Sequence, residues 1–166
     1  MSLDKINNAS AEQAYDLFEH CCCAPNWINS MVAKRPFKDM SALLAASQRI
    51  FLQLSEQDYL TAFTGHPQIG NLATLHEKYA STSGSASHEQ SGMSVAEQTL
   101  LEEMLDLNKA YLAKFGFIFI VFASGKSAQQ MLAIIQSRIG NDRQTELTIA
   151  SQEQAKITQI RLEKLL

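Results

Sequence analysis

Three side chains of this 166-residue chain are candidates for a polar, chemically active site: His66, Glu89 and Arg161. An imidazole gains and loses protons near neutral pH, a carboxylate orients hydrogen-bond donors, and a planar guanidinium holds anionic or carbonyl oxygens. Long stretches of sequence separate the three residues. Any joint action therefore depends on the elements that position each of them.

His66 lies in the segment Thr64-Gly65-His66-Pro67, between two helix-like patterns. Proline lacks an N–H and disfavours the α conformation of the residue before it, so this segment cannot continue a helix. The pattern predicts a rigid, non-helical elbow, residues 64–67, that directs the imidazole toward a pocket. Considered without the rest of the chain, His66 could equally be a structural histidine bonded to a backbone carbonyl.

Glu89 and Arg161 have quite different surroundings. Glu89 follows a run of small polar residues, 81–88, which predicts a surface loop. Arg161 stands between Ile160 and Leu162, at the edge of an apolar helix face, where a buried guanidinium needs an anionic partner or a ligand. Considered alone, Glu89 could be a solvated loop carboxylate, and Arg161 could be a salt-bridging arginine on a terminal helix.

Other motifs do not support a metal or nucleotide site. The segment Gly125-Lys126-Ser127 matches the end of a phosphate-binding loop, but Ile120 replaces the first glycine, so we interpret Ser127 as a helix cap. His76-Glu77 and His88-Glu89 lack the second histidine of a zinc-protease motif, and the chain has neither a CxxC pair nor a dinucleotide fingerprint. We expect no metal and no cofactor.

Charge and hydropathy narrow the class of protein. The net charge is −3 and no basic stripe is present, which argues against nucleic acid as a partner. The longest apolar run, 117–123, is too short to span a bilayer, and the first residues lack a signal-peptide core. We therefore expect a soluble, cytoplasmic protein with no membrane partner. The adjacent Cys21, Cys22 and Cys23 fit reduced thiols better than disulfides.

Helical periodicity dominates the chain and predicts an all-α protein, a single compact domain over residues 1–166 with about eight helices and no sheet. Capping boxes at Ser10 and Ser94 mark two helix starts, and Gly116 is a predicted stop. The third expected helix begins after a cap at Asp39 or Ser41 and reaches Leu54. The other expected helices cover about residues 11–22, 25–32, 56–63, 72–80, 95–115, 128–139 and 143–166.

The run from Phe117 to Phe122 is β-branched and aromatic, and on propensity it would be a buried strand. No second strand candidate exists to pair with it. An extended segment between helices, with backbone groups free for a ligand, is the other interpretation.

These features, in their order, resemble the 2-oxo-4-hydroxy-4-carboxy-5-ureidoimidazoline (OHCU) decarboxylases of uric acid degradation. The resemblance covers nearly the whole chain, and its strength lies in the ordered set of motifs rather than in any one of them. The matching segments are Arg35-Pro36-Phe37, His66-Pro67 with Ile69-Gly70, Glu89-Gln90-Ser91-Gly92, Leu107-Asn108 with Tyr111, Phe115-Gly116-Phe117 with Phe119, Arg138-Ile139 with Asn141, Glu146-Leu147, and Ile157 with Arg161-Leu162.

The resemblance implies an all-α bundle of the OHCU decarboxylase type, a homodimer, and a cofactor-free decarboxylation of this ureide substrate to (S)-allantoin. It implies that His66 and Glu89 are catalytic. The substrate-binding residues that it implies are Pro67, Ala86, Ser87, Gln90, Phe119, Ile120, Val121, Phe122, Ala123 and Arg161.

The sequence departs from the family pattern at two positions. The family serine three residues before the glutamate is Ala86 here, and Ser85 or Ser87 could replace its hydroxyl. Gln68 stands where the family often has a charged residue. One lost hydrogen bond is worth about 1 kcal/mol, which does not change the reaction class. Two alternatives stay open: a non-catalytic helical interaction domain, and a hydrolase of a related cyclic ureide.

Overall fold

The computed structural model describes residues 2–80 and 95–165, and these residues form an all-α fold, as predicted, with no strand among them. Nine helices lie within the described ranges. They are α1 (Leu3–Asn8), α2 (Ala11–Glu19), α3 (Pro25–Ala33), α4 (Met40–Phe51), α5 (Glu56–Phe63), α6 (Leu72–Ala80), α7 (Val95–Phe115), α8 (Ala128–Arg138) and α9 (Arg143–Leu165).

Side-chain caps set most of the helix starts. Ser10, Ser55 and Ser127 each accept a hydrogen bond from the amide three residues later and complete a capping box, at α2, α5 and α8. Asp39 caps α4, and Pro25 occupies the first turn of α3. The capping box predicted at Ser94 lies outside the described residues.

The chain divides into two compact units. The first unit comprises Met1–His66, Ile120–Phe122 and Leu147–Leu166, and the second comprises Pro67–Phe119 and Ala123–Glu146. Helix α9 contributes its first four residues, 143–146, to the second unit and the rest to the first. The expectation of a single domain over residues 1–166 stays a prediction.

The core of the first unit is centred on Trp27, which is fully buried. Its ring meets Phe18 edge to face at 6.0 Å, and its indole N–H donates to Ser47 Oγ at 3.2 Å. Helix α3 packs against α2, α4 and α5, and Leu162 of α9 belongs to the same apolar cluster. The α9 face that carries the candidate arginine is therefore tied to this core.

Helix α1 was not expected from the sequence, because its start has no side-chain cap. Contacts from later in the chain stabilise it instead. Arg35 Nη1 donates to the carbonyl oxygens of Ile6 and Ala9 at 2.8 and 2.7 Å, and Asn7 exchanges two hydrogen bonds with the Phe37 backbone. The described part of the chain therefore holds this short helix in addition to the eight that the sequence indicated.

Two helices are shorter than predicted. Helix α2 ends at Glu19 rather than near residue 22, because the Cys21 and Cys22 amides both turn back to the Phe18 carbonyl. Helix α4 ends at Phe51 rather than at Leu54. Such end effects are common because terminal turns tighten or fray.

In the second unit, α7 packs against α6 and α8. The α7 helix ends where Gly116 adopts a φ of +79°, a left-handed conformation that glycine accepts most readily, so the predicted stop is confirmed. The run that follows is extended rather than a strand, and Phe117 and Phe119 pack edge to face on the Tyr111 ring.

A buried ion pair joins three elements of the second unit. Glu146 is fully buried, and its Oε1 accepts hydrogen bonds of 2.5 Å from both Arg138 Nε and the Tyr111 hydroxyl. Asn141 Nδ2 donates to the other carboxylate oxygen at 3.0 Å. Burial, together with the Glu146 hydrogen bond, raises the pKa of Tyr111 far above its usual range.

Across residues 2–80 and 95–165, no helix combines the length and the apolar character that crossing a bilayer requires.

Candidate functional site

His66 lies just after the C-terminus of α5, on the predicted elbow. Three successive amides, of Thr64, Gly65 and His66, donate to the carbonyl oxygens of the last α5 turn at 3.1 to 3.2 Å. The next residue is Pro67, which has no amide to continue the series. The imidazole is half-buried, and its backbone is fixed to the end of α5.

Gly65 allows another part of the first unit to approach the elbow closely. A Cβ at this position would lie 2.8 Å from Cys23 Sγ, which is closer than two such atoms can pack. The Cys23 thiol donates to the Thr61 carbonyl oxygen at 3.3 Å. The segment of adjacent cysteines therefore packs directly against the elbow, which the sequence did not indicate.

A buried polar chain links His66 to helix α9. His66 Nε2 lies 2.6 Å from Gln154 Oε1, and Gln154 Nε2 donates to Thr158 Oγ1 at 3.2 Å. Both Gln154 and Thr158 have no exposed surface, so their polar atoms depend on these partners.

Arg161 lies on the same face of α9, because it follows Gln154 by two helical turns. Its Nη1 donates to the Cys21 carbonyl oxygen at 3.2 Å, and the side chain is half-buried. Arg161 makes no ion pair with any of the residues that the structure describes. The guanidinium therefore has donor capacity that the described protein groups do not use.

The thiols near Arg161 are not activated by it. Burial raises the pKa of Cys21 to about 11 and that of Cys22 to about 12, and the nearby guanidinium offsets this only in part. Both thiols therefore stay protonated at neutral pH, which suits packing rather than nucleophilic chemistry.

The extended run after α7 contributes Ile120–Phe122 to the first unit, and Phe119 and Ala123 to the second. In the first unit Ile120 is buried, Val121 and Phe122 are half-buried, and the Phe122 amide donates to Glu153 Oε2 at 2.7 Å. That amide is therefore bonded within the protein, contrary to the expectation of backbone groups left free for a ligand. The other carboxylate oxygen of Glu153 pairs with Lys156 at 2.5 Å.

In the second unit, the Phe119 ring lies against the Arg138 guanidinium, 4.6 Å from the ring centre. The Ala123 carbonyl oxygen accepts a bond from the Lys126 amide at 3.1 Å. Pro67, the first residue of this unit, is exposed.

The described members of the predicted site are divided between the two units. The first unit holds His66, Arg161 and Ile120 to Phe122, while Pro67, Phe119 and Ala123 belong to the second. The predicted Glu89, Ala86, Ser87 and Gln90 lie outside the described residues, so their roles stay predictions. No three metal-ligating side chains cluster within residues 2–80 and 95–165.

Gln154 and Thr158 were missed by the sequence analysis. A signal was present, because both are polar residues at i and i+4 on the α9 stripe that also carries the buried Leu147, Ala150 and Leu162. Polar residues on an apolar stripe need partners, and the partner here is His66.

Comparison with known proteins gives one consistent result. The family model described as OHCU decarboxylase matches residues 7–163. The chain is 34% identical over 150 residues to the "Uric acid degradation bifunctional protein TTL" of Arabidopsis thaliana, covering 90% of this chain and 46% of that protein. It is 28% identical over 166 residues to the "Uric acid degradation bifunctional protein PucL" of Bacillus subtilis, covering 97% and 32%. The chain thus spans less than half the length of these two relatives.

A relative of similar length is the 2-oxo-4-hydroxy-4-carboxy-5-ureidoimidazoline decarboxylase of Haloferax volcanii, which is 23% identical over 163 residues, covering 98% of this chain and 94% of that one. Among solved structures, an OHCU decarboxylase crystallised in the presence of (S)-allantoin has a TM-score of 0.72 at 30% identity, over 95% of this chain and 98% of that one. An (S)-allantoin synthase structure, 18% identical, matches in fold with a TM-score of 0.72, over 100% of this chain and 54% of that one.

Proposed function

This chain belongs to the OHCU decarboxylase family, and we propose that it converts 2-oxo-4-hydroxy-4-carboxy-5-ureidoimidazoline to (S)-allantoin, with proton delivery to one face of the product. The observation that carries the proposal is the match to the OHCU decarboxylase structure obtained with (S)-allantoin, over nearly the full length of both chains. The half-buried His66 and Arg161, both in the first unit, support it.

The substrate itself supplies the electron sink for this reaction. The bond from the ring carbon to the carboxylate breaks, carbon dioxide leaves, and the electron pair is delocalised into the adjacent ring imine. A proton then arrives at the ureido-bearing carbon, which becomes the stereocentre. The neighbouring hydroxyl becomes the carbonyl, and its proton passes to the ring nitrogen that accepted the electron pair. Because the ring accepts the electrons, the reaction needs no cofactor of its own.

His66 is the proposed proton donor to that carbon. Its backbone is fixed at the end of α5, and its ring is held by Gln154 at 2.6 Å, so the direction of proton delivery is constrained. A fixed general acid gives stereospecific protonation, whereas free water would protonate both faces of the planar intermediate.

Arg161 is the proposed anchor for ring oxygens and for the negative charge that develops as carbon dioxide leaves. The guanidinium has no carboxylate partner among the described residues, and one of its nitrogen atoms is held by the Cys21 carbonyl. A preoriented cation of this kind stabilises charge without reorganising during the reaction.

The remaining predicted residues complete the proposed site. We assign Glu89 to orient the substrate hydroxyl or ureido group, with Gln90 beside it, and Ser87 or Ser85 to replace the family hydroxyl lost at Ala86. Pro67 and residues 119–123 form the proposed pocket wall. We also propose that the chain forms a homodimer and acts in the cytoplasm. Sedimentation of the purified chain tests the dimer.

The activity is tested with freshly generated substrate. The purified chain should release carbon dioxide and produce optically active (S)-allantoin faster than the uncatalysed reaction does, as followed by circular dichroism of the product. Racemic allantoin formed at the spontaneous rate would contradict the proposal, and a ureide product formed without carbon dioxide would indicate a hydrolase instead.

The role of His66 is tested by His66→Ala. We expect kcat to fall by about 10²- to 10⁴-fold, and the residual product to be racemic, because general acid catalysis contributes a factor of this size. His20→Ala is the matched control, since His20 is exposed at the end of α2. A His66→Ala protein that still forms (S)-allantoin at the wild-type rate would exclude His66 as the proton donor.

A further inference from the structure

Gln154 is an unusual residue to find in the core of α9. It has no exposed surface, and neither has Thr158 one turn later. A buried primary amide that lacks partners costs more than an apolar side chain of the same size. The two ends of this amide are satisfied by different groups, the imidazole of His66 on one side and the Thr158 hydroxyl on the other.

The orientation of the amide follows from these partners. Gln154 Nε2 donates to Thr158 Oγ1 at 3.2 Å, which leaves Oε1 facing His66. The 2.6 Å separation from His66 Nε2 suits an N–H···O bond, because hydrogen bonds between two nitrogen atoms are longer.

The oxygen of an amide only accepts hydrogen bonds. His66 Nε2 must therefore carry a proton whether the ring is neutral or charged, and the neutral ring has its lone pair on Nδ1. We propose that Gln154 is a positioning residue that holds His66 in the Nε2–H tautomer, so that Nδ1 is the nitrogen that exchanges the proton with the substrate. This inference rests on the proposed function for the reaction, while the tautomer can be measured without it.

Thr158 acts one step further away. Its Oγ1 accepts from the nitrogen end of the Gln154 amide at 3.2 Å, and this pairing helps to hold Oε1 toward the imidazole. An amide turned by half a rotation would present an N–H to the imidazole and favour the other tautomer, with the proton on Nδ1 and the lone pair on Nε2. The Thr158 hydroxyl therefore contributes, through Gln154, to the choice of the basic histidine nitrogen.

The tautomer is measured by NMR on protein labelled with ¹⁵N-histidine. Long-range correlations between ring nitrogens and ring protons distinguish the two tautomers, and the His66→Ala spectrum identifies the His66 signals among the four histidines. We expect wild-type His66 to be protonated on Nε2, and Gln154→Met to give a mixture of tautomers. A wild-type ring protonated on Nδ1, or an unchanged tautomer in Gln154→Met, would overturn the inference.

Kinetics separate positioning from a general structural role. Gln154→Met should lower kcat by about tenfold to a hundredfold, as the loss of an orienting outer partner does elsewhere, and should leave KM nearly unchanged. Gln154→Glu keeps acceptor oxygens at this position, so it should retain the Nε2–H tautomer and recover part of kcat. Gln152→Met makes the same substitution on the exposed side of α9 and should change neither quantity.

Thr158→Val keeps the proposal testable if Gln154→Met does not fold. This variant leaves Gln154 and His66 intact, and it should shift the tautomer in the same direction. An unchanged tautomer in Thr158→Val would count against the inference. If the wild-type chain produced no (S)-allantoin, the proposed function would fail, yet the NMR result would still decide whether Gln154 sets the tautomer.

Discussion

At the scale of single residues, the elbow depends on the absence of a side chain at Gly65. The requirement comes from space rather than from backbone conformation, because Gly65 is not among the glycines with positive φ. Cys23 Sγ occupies the position next to it and bonds the end of α5. Cys23 therefore supports the histidine by packing against the residue beside it.

Gly65→Ala should destabilise the elbow and misplace His66. A new Cβ 2.8 Å from Cys23 Sγ must displace backbone or thiol, and overpacking of this kind costs about 1–3 kcal/mol of unfolding free energy. Urea denaturation measures that loss, and kcat should fall as well because His66 is the next residue.

Two variants make this prediction specific to the contact. Adding Cys23→Ala to Gly65→Ala removes the clashing sulfur and should recover part of the lost stability. Gly70→Ala is the control, because nothing lies within 4 Å of a Cβ built there. A Gly65→Ala protein with wild-type stability and activity would show that the elbow has more room than the distance indicates.

At the scale of elements, the ion pair between Arg138 and Glu146 joins the end of α8 to the start of α9, and Tyr111 ties both to α7. These residues are among the motifs that carry the family resemblance. Their contacts in the second unit are structural, because each polar atom of the Glu146 carboxylate is bonded to protein. A buried pair of this kind is costly to break, because removal of one partner strands the other.

Tyr111→Phe should lower the unfolding free energy by about 1–3 kcal/mol, because the buried Glu146 loses a short hydrogen bond and no water replaces it. Tyr15→Phe is the matched control: its hydroxyl makes none of the hydrogen bonds seen in the described residues, so its effect should stay within about 0.5 kcal/mol. Equal losses in the two variants, measured by denaturant titration, would contradict a special role for the Tyr111 hydroxyl.

At the scale of the whole molecule, buried thiols link stability to pH on the alkaline side. The pKa values of Cys21 and Cys22 rise from an ordinary 9.0 to about 11 and about 12, mainly through burial. The folded state therefore holds its thiol protons more tightly than the unfolded state does. This contribution to stability is complete below about pH 9 and is lost as the pH rises toward 12.

The unfolding free energy should therefore fall steadily between pH 9 and pH 12, the window set by the ordinary and raised thiol pKa values. Its slope in this window should be smaller in Cys22→Ala, whatever the stability of that variant at neutral pH, because one titrating thiol is gone. An identical slope in the two proteins would show that other groups dominate the alkaline transition.

Helix positions were the part most open to prediction from the sequence, because helix ends depend on local chemistry. Ser10, Ser55 and Ser127 form their capping boxes within four residues, and Gly116 ends α7 through its own φ angle. Each motif of the family resemblance is weak by itself, because a short match arises easily by chance. The ordered set over the whole chain is hard to match by chance, and it therefore identified the family. The family match over residues 7–163 confirms that interpretation.

The sequence by itself determined the all-α class, most helix starts, the elbow at His66 and the family. The tertiary structure decided what surrounds His66: Gln154 at one ring nitrogen, Cys23 against Gly65, and Arg161 on the same face of α9. These contacts join residues far apart in the chain, so no local spacing encodes them. Which nitrogen of His66 carries its proton is therefore a property of the packed α9 face, where two buried polar side chains must satisfy each other.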